Sequence, residues 1–208
     1  MDPSPPTSGP ASGLTEIAQT KAQLRKHYRS LRREHVDALP DRMRALLFMR
    51  PPVPVAQRLA PGASVALYYP HPHEAPTLSY ARWLHENGFR VALPRFADRA
   101  SAMTFQAWAD PYDEAGLEPG PFGVMQPRDD SSAVTPAVLL MPLLAFTAQG
   151  ERLGQGGGHY DRWLEANPGT LAIGMAWDVQ LAEDLPAEPH DHPLAMVVTP
   201  TRLYEGTR

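Results

Sequence analysis

The chain has 208 residues, 43% apolar and 20% charged, with a formal net charge of −4; that is enough apolar material for one cored domain and too little positive charge for a basic nucleic-acid-binding face. With no Cys, disulfides, thiolate catalysis and Cys-ligated zinc or iron–sulfur centres are excluded. No apolar run approaches the roughly 18–20 residues of a membrane helix, and MDPSPPTSGPASG has neither the basic start nor the apolar stretch of a secretory signal, so a soluble, cytoplasmic protein is expected.

Residues 1–13, with four Pro, three Ser and two Gly, read as a flexible leader. Thr15 is the expected N-cap of a first helix; Ile17, Leu24, Tyr28 and Leu31 recur along it at helical spacing, and it fades near His35–Asp37. A second helix is predicted over Asp41–Met49, stopped by Pro51–Pro54. Ala63–Tyr69 reads as a short apolar strand, Pro76–Asn87 as a helix with Gly88 past its end, and Phe89–Leu93 as a strand closed by Pro94. Met103–Ala109 alternates weakly, as at a sheet edge, and 110–136 is turn-rich. Val138–Met141 is a continuous apolar run, as in a strand buried on both faces. A Gly-rich loop leads into a helix over Tyr160–Ala166, and Thr170–Ala176 and Ala195–Thr199 supply further strands. Strands alternating with helices predict an α/β fold, a sheet with parallel strands flanked by helices on both faces. It forms a single domain over 14–204, between the leader and a 205–208 tail.

The densest signal is QGERLGQGGGHYDRWL, Gln149–Leu164, with glycines at 150, 154, 156, 157 and 158. It lies past a buried strand and before a helix, where open α/β sheets bind ligands. Glycines there let consecutive N–H groups face one concavity, and the helix N-terminus adds its positive dipole, which suits a phosphate. The spacing is neither a Walker loop nor a dinucleotide fingerprint. Arg152 is placed to pair with phosphate oxygens, and Asp161 to hold Mg²⁺ directly or through water. A tight strand-to-helix turn alone would also use such glycines; the Arg, aromatic and Asp at fixed offsets favour the phosphate site. On the first helix, Lys21, Arg25, Arg29 and Arg32 form a basic stripe beside the apolar seam. Such a stripe is an anion site only if it lies over the Gly-rich loop; otherwise it is a solvated face.

Lys21-x-x-x-Arg25 in the first helix, Tyr69, Glu74 and Thr77 in YPHPHEAPT, and GERLGQGGGHYDRWL follow one another in an order that resembles the 5-formyltetrahydrofolate cyclo-ligase (methenyltetrahydrofolate synthetase) family, over about residues 17–199. The resemblance implies a fold related to the sugar-phosphate isomerase and CoA-transferase folds. It also implies an ATP-dependent, ADP-forming ligase that converts 5-formyltetrahydrofolate to 5,10-methenyltetrahydrofolate. Lys21 and Arg25 would then meet the ATP phosphates. Arg152, Gly154, Gln155, Gly156, Gly157, Gly158, His159 and Tyr160 would cradle the triphosphate. The folate would lie against Tyr69, Glu74, Phe122, Gln155 and His159, with Mg²⁺ at Asp161. Arg152 and Tyr160 would carry catalysis, Tyr160 by positioning or stabilising the intermediate rather than as a base. The implied partners are the small molecules ATP and 5-formyltetrahydrofolate, without nucleic acid or membrane, for a monomeric chain.

Three positions depart from the family's pattern. His159 stands where Tyr or Phe is usual and adds a group that titrates near neutrality. Gly157 stands where some members carry Lys, and Ala195 where an Asp often supports the magnesium site, leaving Asp191 as the nearby acid. Two rival readings remain. His71, His73 and Glu74 with His190 and His192 would suit a metal hydrolase, and a nucleotide- or folate-binding module would keep the loop but, through Ala195, have lost turnover.

Overall fold

The computed structural model describes residues 10–44, 46–188 and 191–207; most of the expected leader, residues 1–9, and the last tail residue lie outside them. The chain runs α1 (Pro10–Ala38), α2 (Asp41–Arg44), α3 (Val53–Ala56), β1 (Ser64–Ala66), α4 (Leu78–Glu86), β2 (Arg90–Arg95) and β3 (Thr104–Ala107). It continues with β4 (Leu117–Pro119), β5 (Met125–Pro127), β6 (Val138–Pro142), β7 (Ala145–Phe146), β8 (Arg152–Leu153), α5 (His159–Ala166), β9 (Leu171–Met175), β10 (Met196–Val198) and β11 (Leu203–Glu205).

The main sheet has the order β11-β10-β9-β6-β1-β2-β3. Its five inner strands are parallel, and the edge strands β3 and β11 run antiparallel to their neighbours. From β1 the chain steps through α4 to β2 on one side, then crosses back to β6 on the other and continues outward to β9 and β10. The order in which strands are added therefore reverses between β1 and β6, although the two are parallel. A sheet wound both ways opens a crevice there, at the carboxyl ends of the strands.

Alternation along each strand divides the core between the two faces. Val65, Leu67, Val91, Leu93, Leu140 and Ile173 pack with Val36 of α1 and Tyr80, Ala81 and Leu84 of α4. Ala66, Ala92, Leu139, Met141 and Ala172 pack with Leu164 of α5 on the other face. Small residues dominate that second face; at Gly174 a Cβ would lie 2.7 Å from the side chains of Leu143 and Leu194, so the layer above it sits close. The hairpin β7–β8 forms a satellite core with Leu24 and Tyr28 of α1, which fixes the first half of α1 beside the Gly-rich loop.

Several elements differ from expectation. The first helix begins at Pro10, ahead of Thr15; proline is tolerated in a first helical turn because its missing N–H would be unpaired there. The second helix stops at Arg44. Phe48 then takes a left-handed backbone, φ 55°, and is buried edge-on against Tyr80 and Trp177, so aromatic packing offsets the local strain. A helical turn, α3, forms inside the proline stretch, with Pro at its start. Strand β2 runs through Pro94 to Arg95 by pairing with β3; β1 no longer pairs beyond Ala92, so a residue without an N–H is accommodated. The turn-rich 110–136 region carries the ribbon β4–β5, and β11 lies in the last residues.

Candidate functional site

A cleft of about 710 Å³ opens over the carboxyl ends of β1 and β6. Four pieces of chain build its walls. Helix α1 contributes Lys21, Arg25, Arg29 and Arg32, and the loop after β1 contributes Tyr68, Tyr69, His71 and Glu74. The ribbon β4–β5 contributes Phe122 and Gln126 beside Phe96, and the Gly-rich segment contributes residues 152–161; Glu188 and Asp191 complete the rim. Every site residue expected from the sequence lines this one space.

In the loop, Gly156 has φ +104° and Gly158, the N-cap of α5, φ +63°, conformations that other residues adopt only under strain. Among the described residues, no carbonyl or side chain accepts from the amides of residues 155–158, and residues 155–157 are exposed, so these N–H groups are open to solvent or to a ligand. Four consecutive N–H groups without a protein partner, leading into a helix N-terminus, form the arrangement that suits an anion.

The basic stripe of α1 lies over this loop. Arg25 Nε donates to the Gly154 carbonyl at 3.1 Å and Arg29 Nη2 to Gln155 Oε1 at 3.2 Å. Neither forms an ion pair among the described residues, so both charges are available to an anion. Lys21 and Arg32 sit within the buried seam of the helix rather than beside it, each about 5–6% exposed. Lys21 Nζ donates to Glu188 at 2.6 Å and Asp191 at 2.7 Å. Burial alone would lower its pKa, but those two carboxylates raise it above the ordinary value. Arg152 donates to Asp161 and to the His192 carbonyl, spending two of its five donors.

The other half of the cleft is flat and apolar. Phe96, Phe122 and His159 form a ring cluster, with centroid separations of 4.8 Å for Phe96–Phe122 and 4.9 Å for Phe96–His159. Burial first, and Arg162 second, hold the imidazole below its ordinary pKa, so at neutral pH it serves as a neutral ring. A Cβ at Gly157 would lie 2.7 Å from His159 Cδ2; the absent side chain at 157 and the ring at 159 are one steric arrangement. Gln126 ties the ribbon to this wall by accepting from Phe96 N–H and donating to Phe96 C=O, both at 3.1 Å. At the base, Glu74 is 6% exposed and accepts from His71 N–H at 3.0 Å and from Gln155 Nε2 at 3.3 Å.

Other expected residues are placed differently from their neighbours. The Tyr69 ring lines the cleft, but its hydroxyl donates to Glu114 at 2.5 Å; that bond, with burial, pushes its pKa up to about 12. Burial and Glu74 raise the Tyr160 phenol well above its usual range, against Arg152, so it remains a protonated donor. Thr77 turns inward to the Tyr68 carbonyl at 2.6 Å. Ala195 leads into β10, its N–H bonded to the Ala172 carbonyl, and is not a cleft wall. Of the rival hydrolase ligands, His190 lies outside the described residues and His73 pairs with Asp37 at 3.1 Å; among the described residues no group of three or more His, Asp or Glu is arranged to hold a metal.

Phe96, Arg32 as a cleft residue, Gln126 and Glu188 were not assigned from sequence. The i, i+4, i+11 spacing of Lys21, Arg25 and Arg32 was the available signal for Arg32. Phe96 carried only its position just past a strand end.

A sequence profile of the 5-formyltetrahydrofolate cyclo-ligase family matches residues 17–200. The 5-formyltetrahydrofolate cyclo-ligase of Escherichia coli K12 is 32% identical over 188 residues, covering 88% of this chain and 99% of the relative. That of Mycolicibacterium smegmatis is 33% identical over 146 residues, 68% and 75% of the two chains. The 5,10-methenyltetrahydrofolate synthetase of Aquifex aeolicus superimposes with a TM-score of 0.69 at 26% identity, covering 89% of this chain and 92% of that one.

Proposed function

The chain belongs to the 5-formyltetrahydrofolate cyclo-ligase family, and from that membership we propose how its own residues carry out the ATP-dependent closure of 5-formyltetrahydrofolate to 5,10-methenyltetrahydrofolate, with release of ADP and phosphate. The observation that carries the assignment of roles is the shared cleft: four loop amides without a protein partner and two arginines without an ion pair among the described residues at one end, a buried carboxylate and an aromatic wall at the other.

A formamide is a poor electrophile because its nitrogen donates into the carbonyl. The cleft's task is to bring the formyl oxygen against the γ-phosphorus. The amides of Gln155, Gly156, Gly157 and Gly158, with Arg25 and Arg29, grip the triphosphate, and Arg152 adds its remaining donors. Lys21 lies at the same end with its charge balanced by Glu188 and Asp191. Glu74, an acceptor-only carboxylate, takes the donor-rich edge of the pterin, whose face rests on Phe96, Phe122 and His159. Gln155 touches both halves through its bond to Glu74, so the two substrates are held in one register.

The formyl oxygen attacks the γ-phosphorus and ADP departs. The second folate nitrogen, tethered nearby, then attacks the activated carbon, the C–O bond to phosphate breaks, and that nitrogen's proton passes to solvent. Tethering replaces a bimolecular encounter, and phosphoryl transfer needs alignment and charge stabilisation more than a protein nucleophile. The protonated Tyr160 is suited to donate to charge developing on the transferred group. For Mg²⁺ a single carboxylate fits, since that ion keeps several waters and is commonly held by one or two carboxylates plus substrate phosphates. Asp161, beside Arg152, would hold it, while Glu188 and Asp191 are engaged by Lys21 and Ala195 offers no ligand. When bound, the ion neutralises phosphate charge. We read the chain as a cytoplasmic monomer; among the described residues no helix is long and apolar enough to cross a membrane.

The test is the near-ultraviolet absorbance of the methenyl product on mixing the protein with 5-formyltetrahydrofolate and MgATP. Signal is expected, and its abolition by a chelator with recovery on adding Mg²⁺. Absence of product at every enzyme concentration, with both substrates still binding, would make the chain the binding module without turnover.

A further inference from the structure

Among the described residues, the buried charged side chains are Lys21, Arg32 and Glu74. Lys21 is closely paired; Arg32 and Glu74 are not. Arg32 Nη1 is 3.7 Å from Glu74 Oε1 and 3.5 Å from the Leu143 carbonyl, and its Nε is buried without a partner. Burial lowers the guanidinium pKa, Glu74 opposing, yet arginine keeps its charge at any working pH. As a fold-stabilising device this is poor, because apolar residues at such places commonly serve at least as well as a buried ion pair. An under-satisfied buried charge calls for another explanation, and its location offers one: Arg32 reaches from α1 to the β1 and β6 sides of the crevice, at the base of the cleft.

We propose that Arg32 is a positioning residue that fixes the Glu74 carboxylate at the base of the cleft, so that it selects a substrate edge bearing two adjacent N–H donors. This rests on the reading above that Glu74 holds the folate. Each Glu74 oxygen already accepts one bond, from His71 N–H and from Gln155 Nε2, and each has a further lone pair. A pterin presents its ring N–H and exocyclic amino group side by side. Taking both donors at once needs a free lone pair on each oxygen, and a nearly water-free carboxylate calls for a compensating charge beside it. Arg32 supplies that charge without occupying the oxygens at close hydrogen-bond distance.

The experiment compares R32M, R32Q, R32K, E74Q and R32M/E74Q, with melting curves and steady-state kinetics in each substrate. R32M should raise the KM for 5-formyltetrahydrofolate at least tenfold while the KM for ATP stays within twofold. R32K should recover most of the loss, and R32M/E74Q should be no worse toward folate than E74Q. If R32M does not melt cooperatively, R32Q carries the same comparison. Wild-type folate KM in R32M or R32Q alongside a damaged E74Q overturns the role of Arg32 and leaves Glu74 as the folate carboxylate. Equal losses for ATP and folate, unrescued by Lys, reduce Arg32 to a structural residue. An unimpaired E74Q removes both readings.

Discussion

Lys21 and Arg25 stand one helical turn apart and look interchangeable in sequence, but their surroundings separate them. Arg25 bonds a loop carbonyl, so R25A should weaken ATP binding by about 1.5–3 kcal/mol, the worth of charged hydrogen bonds, with the melting temperature kept. K21A removes the cation from two part-buried carboxylates and should lower melting temperature and ATP affinity together; nucleotide titration and melting curves distinguish the two. Gly157→Ala should force the His159 ring off Phe96, raising folate KM about tenfold with little loss of stability, as kinetics and melting will show. His159 itself has a folded pKa below 6.5, from burial and then Arg162. The unfolded chain therefore takes up this proton first as pH falls, so the stability contributed by the neutral ring is complete above about pH 6.5 and is lost through the folded value. His159→Phe should flatten the fall in melting temperature between pH 7 and 5.

Helix α1 shows how far periodicity reaches. Its helical state follows from local spacing, but its inward side mixes Lys21, Arg25 and Arg32 with Leu24, Tyr28 and Val36, because the surface it packs on is part core and part cleft. The ribbon β4–β5 was hidden within a run of turn residues; it is short, and what anchors it is a side-chain amide reading the Phe96 backbone. Gln126→Leu leaves both backbone groups of Phe96 without that partner and should destabilise the chain by about 1–3 kcal/mol. It should also raise folate KM more than ATP KM, since the ribbon carries Phe122. Equal effects on both substrates would show that the ribbon does not border the folate alone.

The cleft draws its walls from α1, the β1 loop, the ribbon and the Gly-rich loop, segments far apart in the chain, so both substrates together should bind the native state as a staple. Saturation at about 100 times Kd adds about 2.7 kcal/mol per site, which corresponds to a rise in melting temperature of several degrees for a chain of this size. Calorimetry with ATP, folate and both should show the combined rise; a ternary shift no larger than either alone would argue against simultaneous occupancy. The sequence by itself was sufficient for the α/β class, the Gly-rich loop between strand and helix, and the family, because glycine spacing, strand–helix alternation and the Lys-Arg, Glu and Arg-Leu-Gly strings are local patterns that survive without coordinates. It could not show that Lys21 is spent on Glu188 and Asp191, that Phe96 joins Phe122 and His159, or that Arg32 lies beside Glu74. Those pairings join residues up to 170 positions apart, and they exist only because the sheet's order reverses between β1 and β6 and draws the intervening loops over one crevice.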